Sequence, residues 1–401
     1  MALNEAVIVS ACRTPVGSFR GTLSSIPAPR LGAIVIKEAV RRAGIKGEDV
    51  DEVIMGNVLQ AGVGQAPARQ ASIFAGLPPS VECMTINKVC GSGLKSVMLA
   101  AQAVILGDAE VVVAGGMESM SNAPYLLAKA REGYRVGNGE VQDAIMRDGL
   151  VDVYDNVPMG NAAERCAQEM GITRAMQDEY AVLSYTRAQE AQKAGRFKQE
   201  IIGVEIKGRK GDVSFVVDDE DVFKTDFAKI PGLKPAFLKD GTVTAANASN
   251  INDGAAALVV MSAAKAEQLG CKPLARIVAQ ASFAKEPLWF TTAPADVIPK
   301  VLTKAGLSLS QIDLFEVNEA FAVVALAVKR IAGLDQEKLN VNGGAVAIGH
   351  PLGASGARIL VTLLHALEQR HAKRGLAALC IGGGEGSALI VERIGLTKNG
   401  E

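Results

Sequence analysis

Apolar positions come in two rhythms along this chain. Short runs at Ala6–Ser10, Glu52–Met55 and Glu110–Ala114 have the length and character of strands. Longer stretches, Leu31–Ala43 and Leu94–Leu106, have the length of helices. The alternation predicts an α/β unit, a mostly parallel sheet with helices on its faces.

The last third repeats this plan. Ala43-Gly44-Ile45, followed by Val50-Asp51 and a strand, matches Ala305-Gly306-Leu307, followed by Ile312-Asp313 and the strand Leu314–Val317. Carried forward by the same interval, Gly91 falls on Gly353, within Gly349-His350-Pro351-Leu352-Gly353-Ala354-Ser355-Gly356. Each copy then has a helix (Ile359–Lys373 in the second) and an apolar strand (Ala377–Leu379). Each ends in glycines, Gly115-Gly116 and Gly382-Gly383-Gly384. Several features in register imply an internal duplication. Ligands in such sheets bind beyond the carboxyl ends of strands, so the loops at Cys90 and His350 are expected to face each other.

Residues 120–249 break the rhythm. They are rich in Met and charge, hold a helix pattern at Met176–Ala194 and a polar turn at 208–212, and read as an inserted lid, binding domain or assembly element. The first unit thus spans 1–119 plus 250–270, and the second 271–401.

A net charge of −1 excludes a general attraction to nucleic acid or anionic membrane, and no apolar stretch of spanning length is free of Gly and charge. The six cysteines are scattered, without zinc spacing, as expected of free thiols in a reducing compartment. Met1–Glu5 is not a signal peptide and Lys398–Glu401 is not a peroxisomal address, so a cytoplasmic location is expected. There is no metal triad and no phosphate-binding Gly-x-x-x-x-Gly-Lys-Ser/Thr.

Cys90 stands out chemically. It sits at a bend, Asn87-Lys88-Val89-Cys90-Gly91-Ser92-Gly93, just before an apolar helix whose first N–H groups aim at it. A helix terminus contributes at most about 2 kcal/mol. One pKa unit needs about 1.4 kcal/mol, so a thiol starting near about 8.5 stays largely protonated. Cys90 is either a buried structural cysteine or a nucleophile that needs a base. Of the three histidines, His365 and His371 fall on the solvated face of a helix pattern. His350 lies among small residues at a glycine-rich bend, as a base for Cys90 or a turn histidine bonded to backbone. Cys380 reads as a core cysteine, a second acid/base, or a disulfide partner of Cys90, with glycines after it able to expose N–H donors. Asn318-Glu319 at a strand end either polarises a carbonyl or orients a water, or caps the next helix.

At these residues the sequence resembles the thiolase family, and within it the acetyl-CoA C-acetyltransferases. The resemblance runs through Asn87–Gly93, Gly115–Ser121, Gly241–Ala257, Asn318–Ala322, Asn340–Arg358 and Cys380–Gly384. It implies the thiolase fold: two duplicated domains in α-β-α-β-α layers, with a loop domain that binds coenzyme A. That domain would also tetramerise the protein through Pro124–Gly149, giving a homotetramer. The implied reaction is a ping-pong Claisen condensation of two acetyl-CoA to acetoacetyl-CoA and CoA, and the reverse thiolysis. It uses CoA thioesters as substrates and no permanently bound cofactor.

By the same resemblance Cys90 carries the acyl group, His350 activates it and Cys380 exchanges the α-proton. One oxyanion hole uses His350 and a water held by Asn318, the other the N–H groups of Cys90 and Gly382. Leu150, Met159, Phe237, Ala245 and Ser249 would line the pantetheine channel, Phe290 and Phe321 would also contact the CoA thioester, and Lys224 would meet a phosphate. Pro158 stands where some biosynthetic members have histidine, and Phe290 where a pocket methionine is familiar. Both leave acyl-chain preference open. A longer-chain 3-ketoacyl-CoA thiolase of β-oxidation is the nearest alternative, and a non-catalytic acyl-CoA-binding scaffold a more distant one.

Overall fold

A computed structural model describes residues 3–208 and 211–394. Arg209 and Lys210 of the polar turn lie outside them, as do Met1, Ala2 and the C-terminal residues 395–401 on which the terminal readings rest. The sheet contains β1 (Ala6–Arg13), β2 (Glu52–Gly56), β3 (Glu82–Ile86), β4 (Val111–Ser119), β5 (Asn252–Ser262), β6 (Ala275–Ala284), β7 (Leu314–Val317), β8 (Arg374–Ile381) and β9 (Glu385–Arg393). Their order is β7-β8-β9-β6-β1-β5-β4-β2-β3. The halves join where β1 meets β6 through Val7–Arg276 and Ile8–Ala275. Outward from that joint the order repeats: β1, β5, β4, β2, β3 on one side and β6, β9, β8, β7 on the other.

The sheet is mixed, which corrects the expectation of a mostly parallel one. Among the strand pairs of the described residues, only β2–β3, β2–β4 and β7–β8 run parallel. The last strand of each half turns back: β9 follows β8 through the short Gly382–Gly384 turn, and β5 returns after the insertion. The first strand of each half then pairs antiparallel with that returning strand.

Helices α1 (Ala28–Ala43) and α2 (Pro67–Ala75) cover one half; α3 (Ser92–Leu106) follows Cys90. The insertion brings α4 (Met159–Glu169) and α5 (Arg174–Lys193). The second half adds α6 (Ala293–Ala305), α7 (Ala322–Ala332) and α8 (Leu352–Gln369). The repeated Ala-Gly pairs are the same device twice: Gly44 and Gly306 end α1 and α6 in the left-handed region, at φ 72° and 64°.

Side-chain alternation along the strands separates three cores. Val7 and Val9 of β1 pack on α1 and α2, while Ile8 faces α3 and α8. In β8, Ala377, Leu379 and Ile381 face α3 and α8, while Leu376, Ala378 and Cys380 face α6 and α7. Helices α3 and α8 touch strands of both halves, so five layers alternate α-β-α-β-α. The stretch Val89–Leu106 is apolar enough to cross a membrane, but here it is the Cys90 loop and the central core helix α3.

Several element ends differ from the sequence reading. Strand β4 runs through Gly115 and Gly116 to Ser119, because those glycines serve close approach rather than a turn. A Cβ on Gly115 would lie 2.0 Å from Ala256 O, and one on Gly116 1.9 Å from Gly353 O. Cys380 lies inside β8 rather than at its end. Helix α8 stops at Gln369, so His371 lies beyond it at φ 51°. His365 is half-buried, with Nε2 3.4 Å from Ala11 O.

The insertion is tied down through charge. Arg13 of β1 meets Glu200 at 2.6 Å and Asp219 at 2.7 Å, all fully buried. Breaking such a pair strands a buried charge, at a cost of about 3–5 kcal/mol.

Candidate active site

Two helix starts placed back to back build the site. A Cβ on Gly93 would stand 2.6 Å from Ala357 N, and one on Gly356 2.3 Å from Leu94 N, so α3 and α8 cross backbone against backbone. Cys90 and His350, in the loops leading into these helices, therefore line one cavity.

The Cys90 loop is strained and braced. Val89, a β-branched residue, sits at φ 45°. Asn87 Oδ1 accepts the Val89 N–H at 2.9 Å. Ser92 Oγ accepts the Lys88 N–H at 2.9 Å and donates to Val89 O at 2.7 Å. Burial pushes the Cys90 thiol up to about 11, against the opposing pull of the Gly382 N–H and its own N–H. The two N–H groups named for an oxyanion hole thus converge at this sulfur. At neutral pH the thiol keeps its proton.

Burial, then the Arg358 charge, pushes His350 down to about 3, so its imidazole is neutral. Its Nδ1 lies 2.6 Å from Ser355 Oγ, and that hydroxyl donates to Pro351 O at 2.9 Å. With the hydroxyl proton so engaged, Nδ1 carries the ring proton and donates to Oγ. Nε2, buried and without a protein partner among the described residues, keeps its lone pair. This is the tautomer a base needs.

Cys380 is fully buried, two residues before Gly382 of the cavity lining. Burial raises its thiol well above the ordinary range, and the neighbouring Cys90 and Cys166 add to this. All six cysteines, Cys90 and Cys380 among them, are free thiols in the structure.

Asn318 and Glu319 separate cleanly. Glu319 is engaged structurally, accepting from Tyr180 Oη at 2.9 Å, Ser184 Oγ at 2.6 Å and Asn340 Nδ2 at 2.8 Å. Asn318 does not cap α7, whose N-cap is Phe321. Its amide is buried with neither Oδ1 nor Nδ2 partnered among the described residues. An orphaned buried amide costs about 1–3 kcal/mol, so such a group calls for an explanation.

The cavity measures about 650 Å³, and Leu150, Met159, Lys224, Phe237, Ala245, Ser249, Phe290 and Phe321 all line it. Phe237 and Phe321 stack edge to face at 6.1 Å. Lys224 is at its mouth, but its ammonium already meets Glu220 at 2.8 Å and Asp221 at 3.4 Å, so an incoming phosphate must compete with both. Sequence reasoning passed over Met146 and Leu352, which narrow the cavity, and Ser355 and Glu118. Ser355 stands in the same glycine-rich run as His350, five residues on. Glu118, buried and pushed up to about 7 by that burial, accepts N–H groups of Val58, Leu59 and Gly353 and so holds the start of α8 to the first half.

Family models for the thiolase N-terminal and C-terminal domains match residues 6–264 and 271–393. An acetyl-CoA acetyltransferase of Cupriavidus necator is 58% identical over 98% of this chain and 100% of its own length. One of Schizosaccharomyces pombe is 54% identical over 98% and 100%. Among solved structures, a Bacillus anthracis acetyl-CoA acetyltransferase superposes with a TM-score of 0.96 at 43% identity, covering 98% of this chain and 100% of that one. The Acat5 thiolase of Ascaris suum, in complex with coenzyme A, gives 0.92 at 45%, covering 97% and 100%. Fold, duplicated halves and these matches together establish that the chain belongs to the thiolase family.

Proposed function

We propose that the protein is an acetyl-CoA C-acetyltransferase that condenses two acetyl-CoA into acetoacetyl-CoA and CoA, and catalyses the reverse thiolysis. One observation carries the reading: a thiol, a neutral imidazole with a free Nε2 and a Gly382 N–H meet in one largely apolar cavity.

The chemistry follows from the protons. His350 Nε2 takes the Cys90 proton as the sulfur attacks the thioester carbonyl, and the N–H groups of Cys90 and Gly382 receive the oxyanion. CoA leaves, drawing its proton from Cys380. The high pKa of the buried Cys380 thiol makes its thiolate a strong base, which removes an α-proton from a second acetyl-CoA. The enolate oxygen is held by the protonated His350 and by a water on Asn318. The enolate carbon attacks the acetyl-Cys90 carbonyl; the C–S bond breaks, and Cys90 regains its proton from His350. Every group ends as it began.

Tyr125, Leu127, Val136 and Tyr154 of the insertion are exposed, which supports its reading as an assembly element and a homotetramer as the working state. The test of function is incubation with acetyl-CoA and mapping of the acetylated peptide, which is expected at Cys90; a label elsewhere, or none, sinks the mechanism. Cys380→Ser is expected to acylate still, because the CoA thiolate can leave unprotonated and take its proton from water, while condensation falls by about 10²–10⁴ for want of the base. Equal loss of both half-reactions would refute that assignment. Rates on acetoacetyl-CoA against longer 3-ketoacyl-CoAs separate this reading from the longer-chain one.

A further inference from the structure

We propose that Asn252, outside the reacting set, is a positioning residue for the His350 base, with Asp221 fixing its orientation. The inference rests on the reading of His350 as the base.

Asn252 opens β5, far from His350 in sequence, and is fully buried. Its Oδ1 accepts the His350 backbone N–H at 2.9 Å. Its Nδ2 donates to Asp221 Oδ2 at 2.9 Å and to Gly17 O at 3.0 Å. The amide can sit only this way round: a flip would face Nδ2 to an N–H and Oδ1 to a carboxylate and a carbonyl. Gly349 fits the same contact. It holds φ 113°, and a Cβ there would stand 2.4 Å from Asn252 Oδ1. Backbone, amide and carboxylate thus form one tether that holds the residue carrying the imidazole. Asp221 also accepts from Asn250 Nδ2 at 3.3 Å and lies 3.4 Å from Lys224 Nζ, so the tether runs from the cavity mouth to the base.

Displacement of a reacting group by about 1 Å costs about 100-fold in rate. Asn252→Ala is therefore expected to slow acetylation of Cys90 by about 100-fold, with the apparent KM for acetyl-CoA within about twofold. A merely structural role would lower the melting temperature and leave the acylation rate at 25 °C unchanged.

Asn252→Asp keeps the acceptor for His350 but sets a carboxylate against Asp221, and is expected to be equally slow. Adding Asp221→Asn returns a donor to that contact and is expected to recover activity. The experiment is single-turnover acylation by acetyl-CoA, read as acetylated protein by intact mass, with His350→Ala alongside. If His350→Ala acylates at the wild-type rate, the base reading falls and the tether with it. If His350→Ala is slow while Asn252→Ala is not, or the double variant is no faster than Asn252→Asp, the tether alone is overturned.

Discussion

Replacing Ser355 with alanine removes the hydroxyl that His350 Nδ1 faces at 2.6 Å. In the free protein the loss is modest, because the imidazole is neutral and burial holds it down to about 3. In the proposed acylation the ring becomes an imidazolium in that same buried place. A hydrogen bond from a charged donor is worth about 1.5–3 kcal/mol, and each 1.36 kcal/mol is about tenfold in rate. Ser355→Ala should therefore acylate about 10- to 150-fold more slowly. Its KM should be nearly unchanged, since no atom that binds acetyl-CoA has moved. The lost hydroxyl bond to Pro351 O costs about 1 kcal/mol of stability, so the variant remains folded at assay temperature. Quenched-flow sampling with intact-mass detection of the acetylated protein reads the rate directly. A Ser355→Ala rate within about twofold of wild type would mean that His350 does not carry the proton through the transition state.

Gly382→Pro should lose about 10²–10³ in condensation and thiolysis, because it deletes the N–H proposed as an oxyanion donor. Gly382→Ala should be mild, since the nearest atom to its Cβ, Met159 Cε, stands off at 3.6 Å; equal damage in both would show that the N–H is not the working part. Alkylation of Cys90 by iodoacetamide in the free protein should climb with pH toward a midpoint near about 11, since the reactive thiolate grows as the proton is lost. A plateau already reached below neutral pH would reveal a preformed thiolate–imidazolium pair instead. Met159→Ala should raise the rate on longer 3-ketoacyl-CoAs relative to acetoacetyl-CoA, because Met159 narrows the cavity beside Gly382; an unchanged ratio would place the chain-length limit elsewhere.

The sequence made the duplicated plan legible and singled out Cys90, His350 and Cys380 because both rest on local signals. Helix-ending glycines mark each copy, and cysteine and histidine in glycine-rich bends stand out in an apolar chain. What escaped depends on partners distant in sequence. Gly115 and Gly116 looked like a strand end, and only the opposing Ala256 and Gly353 explain why a strand needs them. The antiparallel pairing at the centre of the sheet follows from the returning strands β5 and β9, which no periodicity encodes. Local sequence alone does not tell Asn318 from Glu319; Tyr180, Ser184 and Asn340, all remote, occupy Glu319 and leave the Asn318 amide without a partner among the described residues. Asn252 gives no local signal at all, since its work is done on a backbone N–H 98 residues away.

The Gly93–Gly356 crossing gives the protein a fixed gauge. Main chain sets the spacing of the two helices that Cys90 and His350 lead into, and the Asn252 tether holds His350 on its own side of that spacing. Substitutions at Met146, Met159 or Phe290 can widen or narrow the acyl chamber without detuning that spacing, because none of these residues belongs to it. Breadth of substrate and power of catalysis are therefore separately adjustable in this architecture. A redesign of the chamber should change which chain is processed before it changes how fast the bond is made.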